Sequence, residues 1–397
     1  MSWVDQNPNR PFTTQSFSSQ NVGTNKLMEA TTKQKSELKK SCINCGAELM
    51  YAPGTTELKC DYCGHTQEIP AAESGFEELE LQPYLETLGS QSHSEAITIL
   101  NCKNCGANQH IEENYKSLHC VYCNSPLIIE DAQTEEWILP GAVLPFQITQ
   151  EKAHLIFKNW VNKLWWAPNK LKRATLDPKN TKGLYVPYWT FDAQLFATYT
   201  GQRGDYYYVS VPYTTTVNGK TVTRTRQERR TRWTPASGSI SGFVDDTLIK
   251  ASKQKAGIIP RKIARWNLTA LQPFDSSYLA GFVTEKYTIP LKDGHISANK
   301  EAQKIADRWA RRDIGGDTQR ISTLNMSLED ETFKHILLPV FVSAYNFKGK
   351  RYNFFVNGQT GALSGKRPYS FWKIFLFILF IITVIVGIIA ILNLMDN

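Results

Sequence analysis

The chain has 397 residues, enough for two or three domains, and its aromatic residues make up 12% of the sequence, enough for a substantial core. This composition excludes a wholly disordered protein. The formal net charge of +8 is modest for this length, so charge alone does not demand nucleic acid as a partner.

The chain opens with a polar stretch. Residues 1–38 are rich in Gln, Asn, Ser and Thr and lack apolar periodicity, which predicts a disordered arm. The first residues carry neither a basic n-region nor an apolar h-region, so we expect no secretory signal.

All eight cysteines fall in two matched units, residues 39–70 and 99–130. In each unit, two Cys-x-x-Cys pairs are separated by 14 residues, and the flanking residues repeat as well, with Tyr62 recurring as Tyr122. This pattern indicates an internal duplication. The cysteines are Cys42, Cys45, Cys60 and Cys63 in the first unit and Cys102, Cys105, Cys120 and Cys123 in the second.

This spacing predicts two structural Zn²⁺ sites. Two Cys-x-x-Cys turns can close a tetrahedron of thiolates, which leaves no open position for catalysis. The residue after each pair must tolerate φ > 0, and Gly46, Gly64, Gly106 and Asn124 occupy these places. Disulfides, redox pairs or a rubredoxin-type iron site are the alternatives. With zinc thiolates, the net charge falls to about +4.

An acidic linker, residues 71–98, separates the two units. Its apolar residues have a partly helical spacing, which fits either a short helix or a solvated spacer. His65 and His119 adjoin cysteines but are surplus to the two sets of four, so we expect both at the surface.

The sequence of residues 136–368 predicts an α+β region of two related strand–helix–sheet units, and an ordinary α+β pattern is the alternative. In the first α+β unit, a strand over 143–148 precedes a helix capped by Thr149. In the second α+β unit, a strand over 282–291 precedes a helix capped by Ser297. The helices carry Trp160 and Trp309, which we expect in the core. Each helix is followed by a strand that contains a proline.

A basic hairpin arm, residues 205–233, is inserted in the first α+β unit. Asn218-Gly219 is a strong type I′ turn signal. Period 2 on the return strand places four arginines on one face. Neither face is apolar, so the arm is either a solvated hairpin or a surface for an anionic partner, which could be acidic protein, lipid headgroups or nucleic acid. The arginines are Arg224, Arg226, Arg230 and Arg232.

Common catalytic and nucleotide-binding motifs are missing from the sequence. Gly361 to Lys366 resembles a phosphate-binding loop but has the wrong spacing. Asp245-Asp246 and Phe274-Asp275 are each more typical of a turn or helix cap than of a metal site.

The C-terminal segment predicts a transmembrane helix over 374–394, because it is uncharged, apolar on every face and long enough to cross a bilayer. Lys366, Arg367 and Lys373 precede it, and Tyr369 and Trp372 suit the interface. The positive-inside rule therefore predicts a tail-anchored protein of the inner (cytoplasmic) membrane, with most of its mass in the cytoplasm. A buried core helix is the alternative.

Taken together, the two four-cysteine units, the segments Gly183–Asp192 and Leu271–Asp275, and the apolar C-terminus resemble a bacterial family of tail-anchored double zinc-ribbon proteins. Its members are often labelled transcription-factor-IIB-type zinc ribbons or likened to the primosomal helicase. The resemblance implies association with SPFH (stomatin/flotillin-like) proteins and phage-shock-protein-A-like membrane-remodelling proteins. The helicase label does not fit, because the nucleotide-binding motifs are missing.

These features favour a membrane-anchored, non-enzymatic adaptor that docks partner proteins, with a role in envelope stress or membrane remodelling. The alternative is a nucleic-acid-binding protein that uses the arginine arm and stacks bases on Tyr62 and Tyr122. An enzyme with an unrecognised site is a third possibility. No small-molecule substrate is expected.

Overall fold

The computed structural model describes residues 41–70, 78–86, 94–110, 118–123, 125–127, 133–169, 181–217, 220–253, 259–260, 262–347 and 350–395. The expected disordered arm, residues 1–38, lies outside these ranges. The described chain is a mixed α+β fold, with one 12-stranded sheet, one 3-stranded sheet and one 2-stranded sheet.

The described helices and strands follow one another along the chain. The first part contains β1 (Leu49–Tyr51), β2 (Glu57–Cys60), β3 (Thr66–Glu68), β4 (Leu79–Glu80), α1 (Leu81–Glu86), β5 (Ser94–Asn101), β6 (Asn108–His110), β7 (Leu118–His119), β8 (Pro126–Leu127), β9 (Gln133–Ile138), β10 (Ala142–Val143) and α2 (Gln150–Lys163). The second part contains β11 (Thr181–Val217), β12 (Lys220–Lys250), β13 (Gln272–Pro273), β14 (Val283–Glu285), α3 (Leu291–Ile314), β15 (Thr318–Phe347), β16 (Lys350–Asn357), β17 (Leu363–Gly365) and α4 (Phe371–Met395).

Strand β11 is the centre of the large sheet and has 37 residues. It pairs antiparallel with β12 along one edge and with β15 along the other. Near its start, Leu184 and Tyr185 also pair in parallel with β14. The flanking strands are 31 and 30 residues long, so one hydrogen-bonded ladder runs through most of the molecule.

The first part of β11 lies in the main core, which we call the body. Leu184, Tyr185, Val186 and Trp189 are buried. Phe146 packs on Tyr185 with 5.0 Å between ring centroids. Because both faces of the strand are covered here, its sequence is a continuous apolar run, as in other strands buried on both sides.

Beyond the body, three strands form a stalk: residues 193–204 of β11, 233–244 of β12 and 318–329 of β15. Helix α3 covers one face of it. Its buried residues include small side chains that recur every fourth position, so the helix can lie close to the sheet. At 24 residues the helix is about 36 Å long, which supports the stalk over most of its length. These small residues are Ala298, Ala302, Ala306 and Ala310.

The two ends of α3 show which stretch of β11 it covers. At the first turn, a Cβ on Gly294 would come within 2.8 Å of Cδ1 of Trp189, so this glycine lets the helix rest on the indole ring. At the last turn, Ile314 packs with Tyr199. Helix α3 therefore follows the stalk from the body to the level of Tyr199.

The arm begins at the point where β11 extends past the first residue of β15. Gly204 pairs with Thr318, the first residue of β15, and residues 205–217 and 220–232 continue as a two-stranded ribbon. Thirteen paired residues in antiparallel strands extend about 44 Å. The Asn218-Gly219 turn lies outside the described residues.

Both cysteine units are joined to the body. In the first unit, the Tyr51 amide donates to the Ala280 carbonyl at 3.1 Å, and the Gly54 amide donates to the Phe146 carbonyl at 2.8 Å. In the second unit, β5 and β6 belong to the 12-stranded sheet.

The acidic segment between the two cysteine units is not simply a solvated spacer. Strand β4 pairs with β15, and Leu81 of the short helix α1 is buried beside Trp189 and Phe333.

Several local predictions are confirmed and others are wrong. Thr149 caps α2, accepting from the Lys152 amide at 3.3 Å, and Asp275 accepts from the Ser277 amide at 2.7 Å. Ser297 is no cap, because α3 begins at Leu291 and the Ser297 hydroxyl donates to the Asp293 carbonyl within the helix. The observed strands β10 and β14 are shorter than the strands expected at 143–148 and 282–291. Trp160 and Trp309 are half-buried. The two related α+β units stay a prediction.

The C-terminal helix α4 begins three residues before the predicted span. Its segment Phe371–Leu392 is long and apolar enough to cross a membrane, and none of these residues is buried. The alternative of a buried core helix is therefore wrong. Hydrogen bonds from Lys373 connect the start of α4 to the body: its Nζ donates to the carbonyls of Trp165 and Ala167 at 3.0 and 2.9 Å.

The close approach of α3 to the stalk leads to a stability prediction. Replacing Ala306 by Leu forces a larger side chain into this contact and should lower the free energy of unfolding by about 1–3 kcal/mol. Gln303→Leu adds the same side chain at an exposed position of α3 and should change it by less than about 0.5 kcal/mol. Urea denaturation in detergent, followed by circular dichroism, measures both. Equal changes in the free energy of unfolding of the two variants would contradict the close packing of α3 on the stalk.

Candidate metal centres

The first four cysteines converge on one point. The Sγ atoms of Cys42 and Cys63 are 3.5 Å apart, and those of Cys45 and Cys60 are 3.6 Å apart. All four atoms lie within 4.8 Å of one another. Tetrahedral coordination with metal–sulfur bonds of about 2.3 Å requires sulfurs about 3.8 Å apart, whereas a disulfide requires about 2.0 Å. The geometry therefore fits a metal ion better than disulfides.

The second four cysteines form the same arrangement. The Sγ atoms of Cys102 and Cys123 are 3.4 Å apart, and those of Cys105 and Cys120 are 3.5 Å apart. The spacing that predicted two sets of four cysteines is confirmed, and each set could hold a metal ion. Among the described residues, neither His65 nor His119 joins a set.

Tight turns of the chain position the sulfurs. In three of the turns, the amide of the glycine donates to the carbonyl of the cysteine four residues earlier, at 2.7–2.9 Å. These glycines, Gly46, Gly64 and Gly106, have φ of +72°, +75° and +73°, as the sequence predicted. The fourth position, Asn124, lies outside the described residues.

Backbone amides at these turns also favour thiolates. The pKa of Cys60 is lowered to about 7, first by the Cys63 amide and then by the Tyr62 amide, against the effect of burial. The pKa of Cys120 is lowered to about 5, chiefly by a hydrogen bond from Cys105, whose own pKa is raised. The thiolate is the metal-binding form, so these hydrogen bonds favour the coordinating state of Cys60 and Cys120.

The two sites differ in their exposure. In the first set, Cys45 and Cys63 are exposed, whereas in the second set only Cys105 is more than slightly exposed. Lys182 lies beside the second set and donates from Nζ to the His119 carbonyl at 3.2 Å. Burial lowers the pKa of Lys182, while the charges of Cys120 and Cys123 oppose this shift. This lysine therefore balances part of the negative charge of a four-thiolate site.

A buried carboxyl group connects the second unit to the sheet. The Tyr122 hydroxyl donates to Oε2 of Glu285 at 2.5 Å, and the Ser252 hydroxyl donates to Oε1. Burial raises the pKa of Glu285, and these two donors and the charge of Lys250 act against the increase. Glu285 lies on β14, which pairs with β6 of the second unit. Nothing in the sequence identified Glu285, because one acid in a short strand carries no signature.

The duplicated tyrosines have different environments. Tyr62 is 85% exposed, whereas Tyr122 is 1% exposed. The expectation that both could stack on bases is therefore wrong for Tyr122, since its ring lies inside the protein.

The Asp245-Asp246 pair is not a helix cap. Both residues lie within β12, beside an irregularity in its pairing with β11, where Asp246 has φ of +47°. The Asp246 amide donates to Asp192 at 2.5 Å, and Nζ of Lys334 lies 3.6 Å from Asp192 and 3.5 Å from Asp246. Burial raises the pKa of Asp192 to about 6. Because a lysine already lies among these carboxylates, the cluster is best explained as structural.

The four predicted arginines lie on the arm, separate from both cysteine sets. The register of β11 with β12 is unbroken from Ala193 to Val217, so period 2 places them on one face of the ribbon. Tyr207 pairs with Arg230 and Tyr213 with Arg224, which places two tyrosines on that face. The guanidinium of Arg226 lies 6.0 Å from the Tyr213 ring centroid.

No family model matches this chain. Among curated proteins, it is 22% identical over 348 residues to a Bacillus subtilis (strain 168) protein named "Uncharacterized protein YdjG". This similarity covers 84% of the present chain and 91% of the other protein. The similarity therefore extends over nearly the whole length of both chains.

The two cysteine sets lead to a prediction about metal content. The purified protein should contain about two metal ions per chain, and Cys120→Ser or Cys60→Ser should each reduce this to about one. Elemental analysis by mass spectrometry measures the ratio. Ile43→Ser, at an exposed position beside Cys42, should leave both ions bound. Full metal content in both cysteine variants would contradict the assignment.

The duplication supplies a matched pair of variants for the buried tyrosine. Tyr122→Phe removes a donor to buried Glu285 and should lower the free energy of unfolding by about 1–3 kcal/mol. Tyr62→Phe makes the same change at an exposed position and should cost less than about 0.5 kcal/mol. Thermal unfolding of the metal-loaded proteins tests this difference, and an equal loss in both would contradict it.

Proposed function

We propose that this protein is a non-enzymatic adaptor, anchored in the inner (cytoplasmic) membrane by α4, which docks partner proteins at the cytoplasmic face. The observation that carries the proposal is that contacts among the described residues connect three parts: a membrane-length helix, a helix-supported stalk and a basic arm. The basic residues before α4 favour a cytoplasmic body.

We infer that both four-cysteine sites are zinc ribbons and hold structural Zn²⁺. A cytoplasmic body lies in a reducing compartment, where thiolates rather than disulfides are expected. Small units of this kind have too little core to fold alone, so metal binding stabilises them. Their packing against the body supports a structural role.

The arm is the proposed docking element. It has six basic residues and two acidic ones, its tyrosines Tyr207 and Tyr208 are 41% and 65% exposed, and its strands have no core of their own. An isolated two-stranded ribbon is marginally stable in water, and its open edges can accept another strand. These two properties favour a protein partner, and the excess of basic residues favours an acidic surface on that partner.

The position of the arm favours protein over the lipids of the same bilayer. The body contacts the start of β11 near the anchor, where His154 of α2 lies 3.4 Å from Thr181. From Thr181 to Asp205 the strand has a contour length of about 80 Å. Helix α3 packs against part of this path. The arm therefore begins about 80 Å along the strand from the part of the body that contacts the anchor.

The identity of the partners is the part of the proposal that rests on family resemblance. The two four-cysteine units, the Gly183–Asp192 segment and the C-terminal apolar helix resemble proteins associated with SPFH-type and phage-shock-protein-A-like proteins. Recruitment of such proteins would place the adaptor in envelope stress or membrane remodelling.

Nucleic acid is the alternative partner, because a basic two-stranded ribbon also fits the major groove of DNA. The burial of Tyr122 weakens this alternative, since only Tyr62 is exposed for stacking. Binding that weakens steeply with salt, with a slope of about −0.9 per phosphate contact, would support it.

The adaptor proposal predicts that anchor and arm have separable roles. Deleting residues 371–395 should release the protein and its partner from the membrane. Replacing the four arm arginines by Gln should leave the protein in the membrane but remove the partner, because the docking charge is lost. Affinity purification in mild detergent, with fractionation and mass spectrometry, measures both effects.

A matched control replaces four exposed basic residues of α3, and it should retain the partner. If the partner stays at the membrane after anchor deletion, the adaptor proposal is wrong. Partner binding that survives loss of the arm charges would exclude the arm as the docking element. The control residues are Lys292, Lys300, Arg308 and Arg312.

A further inference from the structure

The loop after α2 lies against the beginning of the membrane helix. This tryptophan loop, residues 165–169, carries Trp165, which is 74% exposed, and Trp166. The Trp166 ring packs edge-on against Phe377 of α4, with 5.0 Å between the ring centroids. The loop is therefore in contact with a residue in the first turn of the apolar segment.

The position of Phe377 fixes the depth of this contact. Lys373 is the last charged residue before the apolar run, and Phe377 follows it by four residues, which is about 6 Å along a helix. Only 22 residues remain from Ile374 to Met395, and a bilayer core requires about 20 of them. The hydrocarbon region must begin close to Lys373. A side chain that packs on Phe377 consequently lies at the membrane boundary.

The backbone of the loop is suited to a poorly hydrated environment. Lys373 Nζ donates to the carbonyls of Trp165 and Ala167 and to Asn169 Oδ1 at 3.0 Å. The Ser370 amide donates to the Trp166 carbonyl at 2.8 Å. Three successive carbonyls of the loop thus accept hydrogen bonds from Ser370 and Lys373. Unsatisfied polar groups are costly away from water, so this arrangement lowers the cost of placing the loop at the interface.

We propose that the tryptophan loop is a second membrane contact, in which Trp165 and Trp166 insert into the interface of the bilayer that α4 crosses. This inference rests on the proposed membrane anchoring. Tryptophan prefers the headgroup level of a membrane, and Tyr369, Phe371 and Trp372 are exposed at the start of the same helix. Lys373 then holds the loop at the helix rather than serving only as a flanking charge. Attachment at two points fixes the tilt of the body on the membrane.

Fluorine NMR of the intact, metal-loaded protein in lipid nanodiscs tests this proposal. Tryptophan is replaced biosynthetically by 5-fluorotryptophan, and resonances are assigned by their loss in Trp165→Phe, Trp372→Phe and Trp233→Phe. Lipids with a spin label on the headgroup or upper acyl chain then broaden nearby resonances. Trp165 should broaden as much as Trp372, whereas Trp233, at the far end of the stalk, should not.

Each pattern of broadening has a distinct meaning. Broadening of both Trp165 and Trp372 supports the second membrane contact. Broadening of Trp372 without Trp165 overturns it and leaves the anchor intact. If neither residue broadens, the membrane anchoring is wrong as well, and this inference fails with it.

A second variant tests the role of Lys373. Lys373→Met keeps the length of the side chain but leaves the loop carbonyls without their donor, so the broadening of Trp165 should fall while that of Trp372 is retained. Lys366→Met removes the same charge from the same flank and should have no effect on Trp165. The shift of the resonance of the buried Trp189, which is assigned by its loss in Trp189→Phe, reports whether the body stays folded. Unchanged broadening of Trp165 in Lys373→Met would show that Lys373 does not hold the loop.

Discussion

The hydrogen-bonded ladder on both edges of β11 is the constraint on which the other parts depend. An extended strand of 37 residues has no stability of its own, because every backbone group needs a partner outside the strand. Strands β12 and β15 supply these partners through the stalk. β15 begins at Thr318, so beyond Gly204 one edge of β11 has no β15 partner and the arm begins. The division between stalk and arm is therefore set by the length of a neighbouring strand.

The ladder is irregular on both edges at Asp192, where a charged cluster compensates for it, and on the β15 edge alone between Thr200 and Gly201. Pairing shifts at Asp192 on both edges, and each flanking strand has an aspartate with positive φ there, Asp246 and Asp330. An aspartate tolerates this conformation better than most residues. Lys334 lies among the resulting carboxylates, with Glu78 at 2.9 Å. The acidic segment before the second cysteine unit therefore contributes a charge to the base of the stalk.

Local chemistry explains which features could be predicted from the sequence. The cysteine spacing, the positive φ of Gly46 and the Thr149 cap each depend on a few adjacent residues, and each is confirmed. The length of β11 could not be predicted, because Gly201, Gly204 and Pro212 usually interrupt a strand. They are tolerated here because neighbouring strands provide the order that these residues lack.

The remaining errors have the same origin in distant contacts. Ser297 has the chemistry of a cap, but the contact of Gly294 with Trp189 extends α3 by two turns toward the body. The two cysteine units have nearly the same local sequence, yet Tyr62 is exposed and Tyr122 is buried, because only the second unit lies beside Glu285. A duplicated sequence predicts a duplicated turn but not a duplicated environment.

The route from the anchor to the arm contains no flexible linker among the residues described, and this has a mechanical consequence. Lys373 is bonded to the tryptophan loop, α2 packs through Phe157 on Phe354 of β16, and β16 pairs with β15, which pairs with β11. From there the ladder continues to the arm. A flexible tether would let the arm sample a wide volume, with an effective concentration that falls as the tether lengthens. A continuous packed route instead restricts the movement of the stalk relative to α4. In the proposed adaptor, a partner bound to the arm would accordingly be confined to a smaller volume than a flexible tether would allow.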